Sequence, residues 1–231
     1  MKKIGIIGGI GPESTIAYYR QIIRMFQERY RSDLYPELLL HSIDMTSMLA
    51  FINNGQLDQL VEFLKSRVDV LVKAGVDHVV LASNTPHLVF DHLQQKVDVH
   101  LISIVDECCK YVSTKGMTRL GLLGTKSTMS KGFYQQKGEL YGLKILTPNE
   151  AHQDFVHDKY MNELVFNDIK AKTKLGLIDI VNDLKNAYQI EGIILGGTEL
   201  PLVLDQRDFS DITVFDTTQI HVAAIIEAME R

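Results

Sequence analysis

The feature that most constrains the fold is a pattern that occurs twice. In it, a continuous apolar run ends in a small residue, followed by hydrogen-bonding residues and a proline. The first copy, LASNTPH, runs from Leu81 to His87, and the second, LGGTELP, runs from Leu195 to Pro201. A buried strand that leads into a helix ends in this way, because Pro is well suited to the first helical turn. We therefore predict two similar strand ends, one in each half of the chain, that carry the chemistry.

Strands and helices alternate along the chain. Apolar runs predict strands at 3–10, 37–44, 76–82, 101–104, 120–125, 143–147, 190–195 and 212–216. Apolar residues at helical spacing predict helices over 16–31, 57–74, 106–113, 128–141, 155–171, 175–187 and 217–229. We expect Thr217 or Thr218 to cap the last of these helices. Apolar strands that alternate with helices indicate an α/β protein whose parallel sheets are covered on both faces.

The order of elements in the first half occurs again in the second half. Each half opens with a strand that runs into a glycine turn and continues to one of the two repeated motifs. We therefore predict two doubly wound α/β domains, an N-terminal one over 1–115 and a C-terminal one over 116–215. The closing helix, 216–231, is expected to pack back on the first domain. In such folds ligands bind outside the carboxyl ends of the strands, where both motifs lie.

Composition excludes several classes of function. The net charge of −5 argues against a nucleic-acid partner, because phosphate binding needs concentrated Lys and Arg. No apolar run approaches the roughly 20 residues that span a bilayer, and the first residues lack a signal-peptide pattern. The two cysteines, Cys108 and Cys109, are adjacent on a predicted helix, which suits buried apolar residues better than a disulfide. A reduced, cytoplasmic protein that does not enter membranes is expected.

Neither a cofactor nor a metal ion is expected. The opening turn, Gly8-Gly9-Ile10-Gly11-Pro12, lacks the third glycine of a dinucleotide-binding motif, because Ser14 stands at that position. The turn instead suits close approach of the backbone to a small ligand. The histidine pairs His87 with His92 and His152 with His157 are each five residues apart, so neither pair shares a helix face.

Both motifs also suit an anionic ligand. Ser83-Asn84-Thr85-Pro86 resembles a helix N-cap, and Thr198-Glu199-Leu200-Pro201 repeats the arrangement. The first turn of a helix has free N–H groups and a positive dipole end, which favour a carboxylate or a phosphate. We therefore predict a small anion as ligand.

At these residues the chain resembles the aspartate/glutamate racemase family, a group of cofactor-independent amino-acid racemases. The matching segments cover essentially the whole chain: Ile4–Thr15, Asn84–His87, Leu123–Thr125, Gly196–Pro201 and Phe215–Thr218. The resemblance implies two pseudo-symmetric α/β domains with the site in the cleft between them, usually in a homodimer. It also implies a small acidic amino acid or a dicarboxylate as substrate, and it places a defined set of residues in the substrate site: Gly9, Asn84, Thr85, Thr125, Thr198 and Glu199.

The family mechanism, as the resemblance implies it, uses one cysteine on each face of the substrate. One thiolate removes the α-proton and the opposite thiol returns a proton, which inverts the centre. In this chain the two cysteine positions, which would be the catalytic ones, hold Ser83 and Gly197. A serine hydroxyl is a poor base without an activating neighbour, and glycine has no side chain. Serine is a near-isosteric replacement for cysteine whereas glycine is not, which favours natural divergence over deliberate substitution.

Three hypotheses follow. The first is an amino-acid racemase, an isomerase, whose activity is weak, altered or lost. The second is a decarboxylase, isomerase or lyase on the same scaffold, which needs a base such as His87 or Glu199 near the ligand. The third is a non-catalytic protein that binds an amino acid or a dicarboxylate. Lys159 lies near the position where the family places a basic residue for the side-chain carboxylate, but a solvated lysine is the simpler interpretation.

Overall fold

Two parallel sheets organise the protein. The computed structural model describes residues 1–30 and 34–230, and within them the strands form two four-stranded, wholly parallel sheets. The first sheet consists of β1 Ile4–Gly8, β2 Leu38–Ser42, β3 His78–Leu81 and β4 His100–Ile102. The second consists of β5 Arg119–Gly124, β6 Lys144–Leu146, β7 Gly192–Gly196 and β8 Thr213–Asp216. Helices flank both sheets, so the predicted α/β class is confirmed.

The helices are α1 Pro12–Tyr30, α2 Met45–Asn53, α3 Leu57–Lys73, α4 Phe90–Gln95, α5 Ile104–Ser113, α6 Lys126–Ser130, α7 Phe133–Glu139, α8 Glu150–Asn162, α9 Ala171–Tyr188 and α10 Thr217–Ala228. Short 3-10 turns occur at Thr85–Val89, Leu164–Phe166, Leu200–Leu202 and Gln206–Asp208. Every residue of β1 and of β7 is buried, as expected for parallel strands whose two faces are both covered.

The chain packs into two compact units. The first contains Met1–Ser103 and the residues from His221 onward, and the second contains Ile104–Ile220. Helix α10 therefore begins in the second unit and continues in the first. The domain limits expected from the sequence, 1–115 and 116–215, stay a prediction.

Both sheets have the same strand order, so the turns after β1 and β3 are neighbours, as are those after β5 and β7. The order is β2-β1-β3-β4 in the first sheet and β6-β5-β7-β8 in the second. The chain leaves the first strand on one side and returns on the other, so the direction of winding reverses between β1 and β3 and between β5 and β7. The register pairs Ile7 with Leu81 and Gly124 with Gly196. Ligands of open α/β sheets bind outside such reversal points, so the repeated motifs lie where function is expected.

Two helices predicted as continuous are interrupted. The predicted helix over 128–141 is α6 and α7, separated at Gly132, whose φ of +80° is a left-handed conformation that glycine adopts easily. The predicted helix over 155–171 is α8, which begins earlier, because the Asn149 side chain accepts the N–H of His152. Asn167, with a φ of +55°, lies in the turn that separates α8 from α9.

Two helix starts and one whole helix also differ from the sequence prediction. Asp216, rather than Thr217 or Thr218, caps α10, because its Oδ1 accepts the N–H groups of Thr218 and Gln219. Helix α2 was not predicted; Asp44 caps it, although the sequence assigned Asp44 to a strand. Helix α1 begins at Pro12 rather than at residue 16, and the predicted last residue, Arg31, lies outside the described residues, as does Arg231.

Candidate functional site

In the first unit, the turn after β1 is fixed by close packing. Gly9 has a φ of +83°, and a Cβ atom at this position would overlap the carbonyl oxygen of Ile43 and lie 2.6 Å from Ser42 Oγ. The Gly9 N–H donates to Thr15 Oγ1 at 2.8 Å. No larger residue fits this turn, and its N–H group is already used by the first turn of α1.

The first motif follows β3 and is almost fully buried. Ser83, Asn84 and Thr85 are each less than a tenth exposed. The expected helix N-cap is absent: Asn84 makes no side-chain cap hydrogen bond, and the chain continues as the 3-10 turn Thr85–Val89 before α4 begins. A five-residue 3-10 turn aligns few peptide dipoles, so the helix dipole expected from the sequence is largely missing at this motif.

His87 supports the backbone of the first motif rather than its hydroxyl. Its Nδ1 is 3.0 Å from the carbonyl oxygen of Ser83, and its ring stacks on Phe90 with centroids 4.8 Å apart. A carbonyl oxygen can only accept, so Nδ1 carries the proton in this contact. The contact therefore orients Ser83, and it does not make the Ser83 hydroxyl a stronger base.

In the second unit, Thr125 follows β5 and caps α6. Its Oγ1 accepts the N–H of Thr128 at 3.3 Å and lies 3.0 Å from Thr128 Oγ1. Thr125 thus lies at the reversal point between β5 and β7, with its hydroxyl held by the cap.

The second motif follows β7 and converges on one carboxylate. Thr198 Oγ1 donates to Glu199 Oε2 at 2.9 Å. The Tyr160 hydroxyl, from α8, donates to the same oxygen. Thr198, Glu199 and Tyr160 are 5%, 1% and 6% exposed. The predicted α-helical N-terminus is absent here too, because only the 3-10 turn Leu200–Leu202 follows.

The Tyr160 ring occupies the space in front of Gly197. A Cβ atom at Gly197 would overlap Cε2 of this ring and lie 3.2 Å from its hydroxyl oxygen. Burial, followed by the negative charge of Glu199, raises the pKa of Tyr160 well above its usual value. The phenol is therefore neutral at ordinary pH and acts as a hydrogen-bond donor.

Tyr160 was missed by the sequence analysis. Its only signal was helical spacing, since it lies four residues after Val156 on the buried face of α8. Nothing in that spacing points to residue 197. The neighbouring Lys159, by contrast, has its Nζ 3.0 Å from Asp158 Oδ2 and 3.2 Å from Glu163 Oε1, so local carboxylates hold it.

Cys108 and Cys109 are structural. Both are fully buried on α5. Burial is the main cause that raises the pKa of Cys108 well above its usual value and that of Cys109 to about 12. A thiol that does not ionise is a poor base and a poor nucleophile.

Among the described residues, no cluster of three His, Cys, Asp or Glu side chains is arranged to hold a metal ion. No helix within 1–30 or 34–230 is long and apolar enough to cross a membrane.

Comparison with known proteins shows where this geometry belongs. A family model described as Asp/Glu/Hydantoin racemase matches residues 7–225. The chain belongs to this family.

Individual relatives agree with this assignment. The broad specificity amino-acid racemase RacX of Bacillus subtilis (strain 168) is 29% identical over 168 residues, which cover 70% of this chain and 67% of RacX. The crystal structure of an aspartate racemase homologue from Pyrococcus horikoshii OT3 is similar with a TM-score of 0.86 and 36% identity, over 100% of both chains. Glutamate racemase isoform RacE1 from Bacillus anthracis shares the fold, with a TM-score of 0.70 at 16% identity over 99% of this chain and 82% of that one.

The polar segments of both motifs lie at strand ends. The Asn-Thr and Thr-Glu segments stand at the ends of β3 and β7, where the motif match predicts them. The residues immediately before these two segments are Ser83, which has a hydroxyl, and Gly197, in front of which lies the ring of Tyr160. The space of a side chain at residue 197 is thus filled by that ring.

Proposed function

We propose that this chain binds a small acidic amino acid or a dicarboxylate, and that it does not interconvert enantiomers by the two-thiol route. The ring of Tyr160 is the main evidence against two-thiol racemisation, because it fills the space of a side chain at residue 197. The sequence has glycine instead of cysteine at residue 197, and the Tyr160 ring leaves no room for a cysteine side chain at that position. The His87 Nδ1 contacts the carbonyl oxygen of Ser83, and this contact does not activate the Ser83 hydroxyl as a base.

Family membership supports the ligand class. The matching family is described by aspartate, glutamate and hydantoin, and relatives are named as amino-acid, aspartate or glutamate racemases. We propose that Asn84, Thr85 and the turn at Gly9 form the ligand-contacting surface of the first unit. Thr125, Thr198 and Glu199 would form that of the second, with Ser83 and Gly197 at the former proton-transfer positions.

Calorimetry tests the binding half of the proposal. We expect at least one of L-Asp, D-Asp, L-Glu, D-Glu and succinate to bind with a Kd between about 1 μM and 1 mM, the range in which enzymes hold their substrates. Chiral chromatography after long incubation should show no conversion of one enantiomer into the other. Absence of binding to all five compounds would overturn the ligand assignment, and efficient racemisation would overturn the mechanistic half.

We further propose, from the family resemblance, that the protein works without an organic cofactor and as a homodimer in the cytoplasm. The two reduced, buried cysteines are in keeping with a reducing compartment. Light scattering coupled to gel filtration checks the dimer, for which the expected mass is twice the 26.1 kDa of one chain.

A further inference from the structure

We propose that Tyr160 and Glu199 form an acid–base pair that moves the α-proton of the bound amino acid on the Gly197 side. This inference rests on the proposed function, since it needs an amino acid to be bound. In this proposal Tyr160 takes the role of the missing thiol. Tyr160 lies on a different element, α8, and no motif of the sequence indicated it.

The Tyr160 hydroxyl lies close to the position of a side chain on Gly197. A Cβ atom on Gly197 would lie 3.2 Å from the Tyr160 hydroxyl oxygen. A thiol at residue 197 would extend one C–S bond beyond that Cβ atom. The phenol oxygen therefore stands close to where the proton-transfer atom of the family mechanism would stand, and it belongs to the same chemical class of weak O–H or S–H acid.

The hydrogen bonds around Glu199 place the Tyr160 hydroxyl next to a carboxylate that can take its proton. Two hydroxyls, from Tyr160 and Thr198, donate to the same oxygen, Oε2. An ionised carboxylate only accepts, and this arrangement suits one. Hydrogen bonds to a carboxylate are charge-assisted, and these two are nearly fully buried. The position of the Tyr160 hydroxyl relative to Glu199 is therefore well fixed. The pair is thus oriented like a base that acts through an intervening hydroxyl.

The chemical step balances without any further reactant. The Cα–H bond breaks and its proton forms a new bond to the Tyr160 oxygen, while the original phenolic proton passes to Glu199 Oε2. The electron pair stays on Cα and spreads into the substrate carboxylate. No tyrosinate forms, which matters because burial beside Glu199 makes that anion unfavourable. The reverse step returns a proton to the same face.

For the opposite face, the family resemblance assigns Ser83 among the described residues. There the motif offers the Ser83 hydroxyl, and the neighbouring His87 ring contacts the Ser83 backbone carbonyl instead of that hydroxyl. Proton removal and return therefore occur on one face. The expected reaction is exchange of the α-proton with solvent in one enantiomer, with its configuration retained.

Proton NMR in D₂O tests the proposal on the full-length chain with each enantiomer of Asp and of Glu. We expect the α-proton signal of one enantiomer to disappear, as the Tyr160 hydroxyl exchanges with solvent before the proton returns.

Tyr160→Phe keeps the ring and removes only the hydroxyl, and it should slow the exchange by about 10²-fold or more, as loss of a general acid–base group does. Its Kd from calorimetry should change by less than about 5-fold, a shift that one peripheral hydrogen bond explains. Glu199→Gln should also lose exchange.

Tyr141→Phe is the matched control. Tyr141 is a second phenol of the same unit that donates to a carboxylate, Asp106 Oδ1, at 3.0 Å. Its variant should exchange at the wild-type rate, and thermal unfolding should show that all variants are folded.

The outcomes separate this inference from the function on which it rests. Binding without exchange, exchange unaffected by Tyr160→Phe, or exchange accompanied by racemisation would each overturn the Tyr160–Glu199 pair and leave ligand binding standing. Absence of binding in the wild type would overturn both.

Discussion

At the scale of single residues, Gly197 and Tyr160 behave as one unit. The glycine leaves room for the ring, and the ring excludes a side chain on the glycine. The φ of Gly197 lies outside the left-handed range, so steric overlap rather than backbone strain restricts this position. The pair explains why residue 197, immediately before Thr198, has no side chain.

Gly197→Ala should therefore destabilise the protein by about 1–3 kcal/mol, the usual cost of overpacking a buried site. The reason is that the new methyl group would overlap Cε2 of Tyr160, a ring that is 6% exposed. Urea denaturation measures the change in the free energy of unfolding.

A double-mutant cycle with Tyr160→Leu supplies the control for this substitution. The added methyl group should cost less once the ring is gone, which gives a coupling energy of about 1 kcal/mol or more between the two positions. If the alanine costs the same in both backgrounds, the ring is not what restricts residue 197.

At the scale of elements, α10 is fixed to the first unit through a buried imidazole. The Tyr18 hydroxyl lies 2.7 Å from His221 Nδ1, and His221 Nε2 lies 2.9 Å from the carbonyl oxygen of Ile102. The carbonyl can only accept, so Nε2 carries the proton and Nδ1 accepts from Tyr18. The neutral ring thus joins α10 to α1 and β4.

Protonation of this ring should destabilise the fold. Burial lowers the pKa of His221 from 6.5 to about 4. Between these values the unfolded chain binds more protons than the folded one, so stability rises with pH across that window and falls on acidification. The loss from pH 7 to pH 4 attributable to this group is about 3 kcal/mol.

Urea denaturation at several pH values, for the wild type and for His221→Gln, checks this prediction. The variant should be less stable at pH 7, and the difference between the two proteins should shrink as the pH falls from 6.5 to 4. The comparison removes the contribution of carboxylates, which is common to both. Parallel pH profiles would contradict the assignment.

The elements also show which features a sequence reveals. Continuous apolar runs predicted the buried strands because a strand covered on both faces needs apolar side chains at every position, as in β7. Helix ends were less accurate because capping depends on single side chains. Asp44 and Asp216 each accept backbone N–H groups that no periodicity indicates.

The candidate site was predictable for the same physical reason, and only in part. Residues such as Asn84 and Glu199 follow buried strands directly, so local sequence places them at a sheet edge. Tyr160 reaches Glu199 over 39 residues of separation from another element, and a contact of that kind depends on tertiary packing.

At the scale of the whole molecule, one topology occurs twice, and both copies place polar residues at the reversal point of the sheet. The first copy carries Ser83 and Asn84, and the second carries Thr198 and Glu199. Because the scaffold sets these positions, side chains can change while the frame persists. The acid–base role that we propose for Tyr160, a residue of α8, is such a change within the fold of the family.

The thiols that remain in the chain should be irrelevant to ligand binding and to proton exchange. Cys108 and Cys109 are 0% exposed on α5, and burial raises the pKa of Cys109 to about 12, so both resist alkylation. Iodoacetamide at pH 8 should leave the mass of the folded protein unchanged, whereas in urea both cysteines should be modified. Calorimetry and the D₂O exchange rate should be the same before and after treatment of the folded protein. Inactivation by alkylation, with a mass increase on either cysteine, would return a thiol to the mechanism and displace Tyr160 from it.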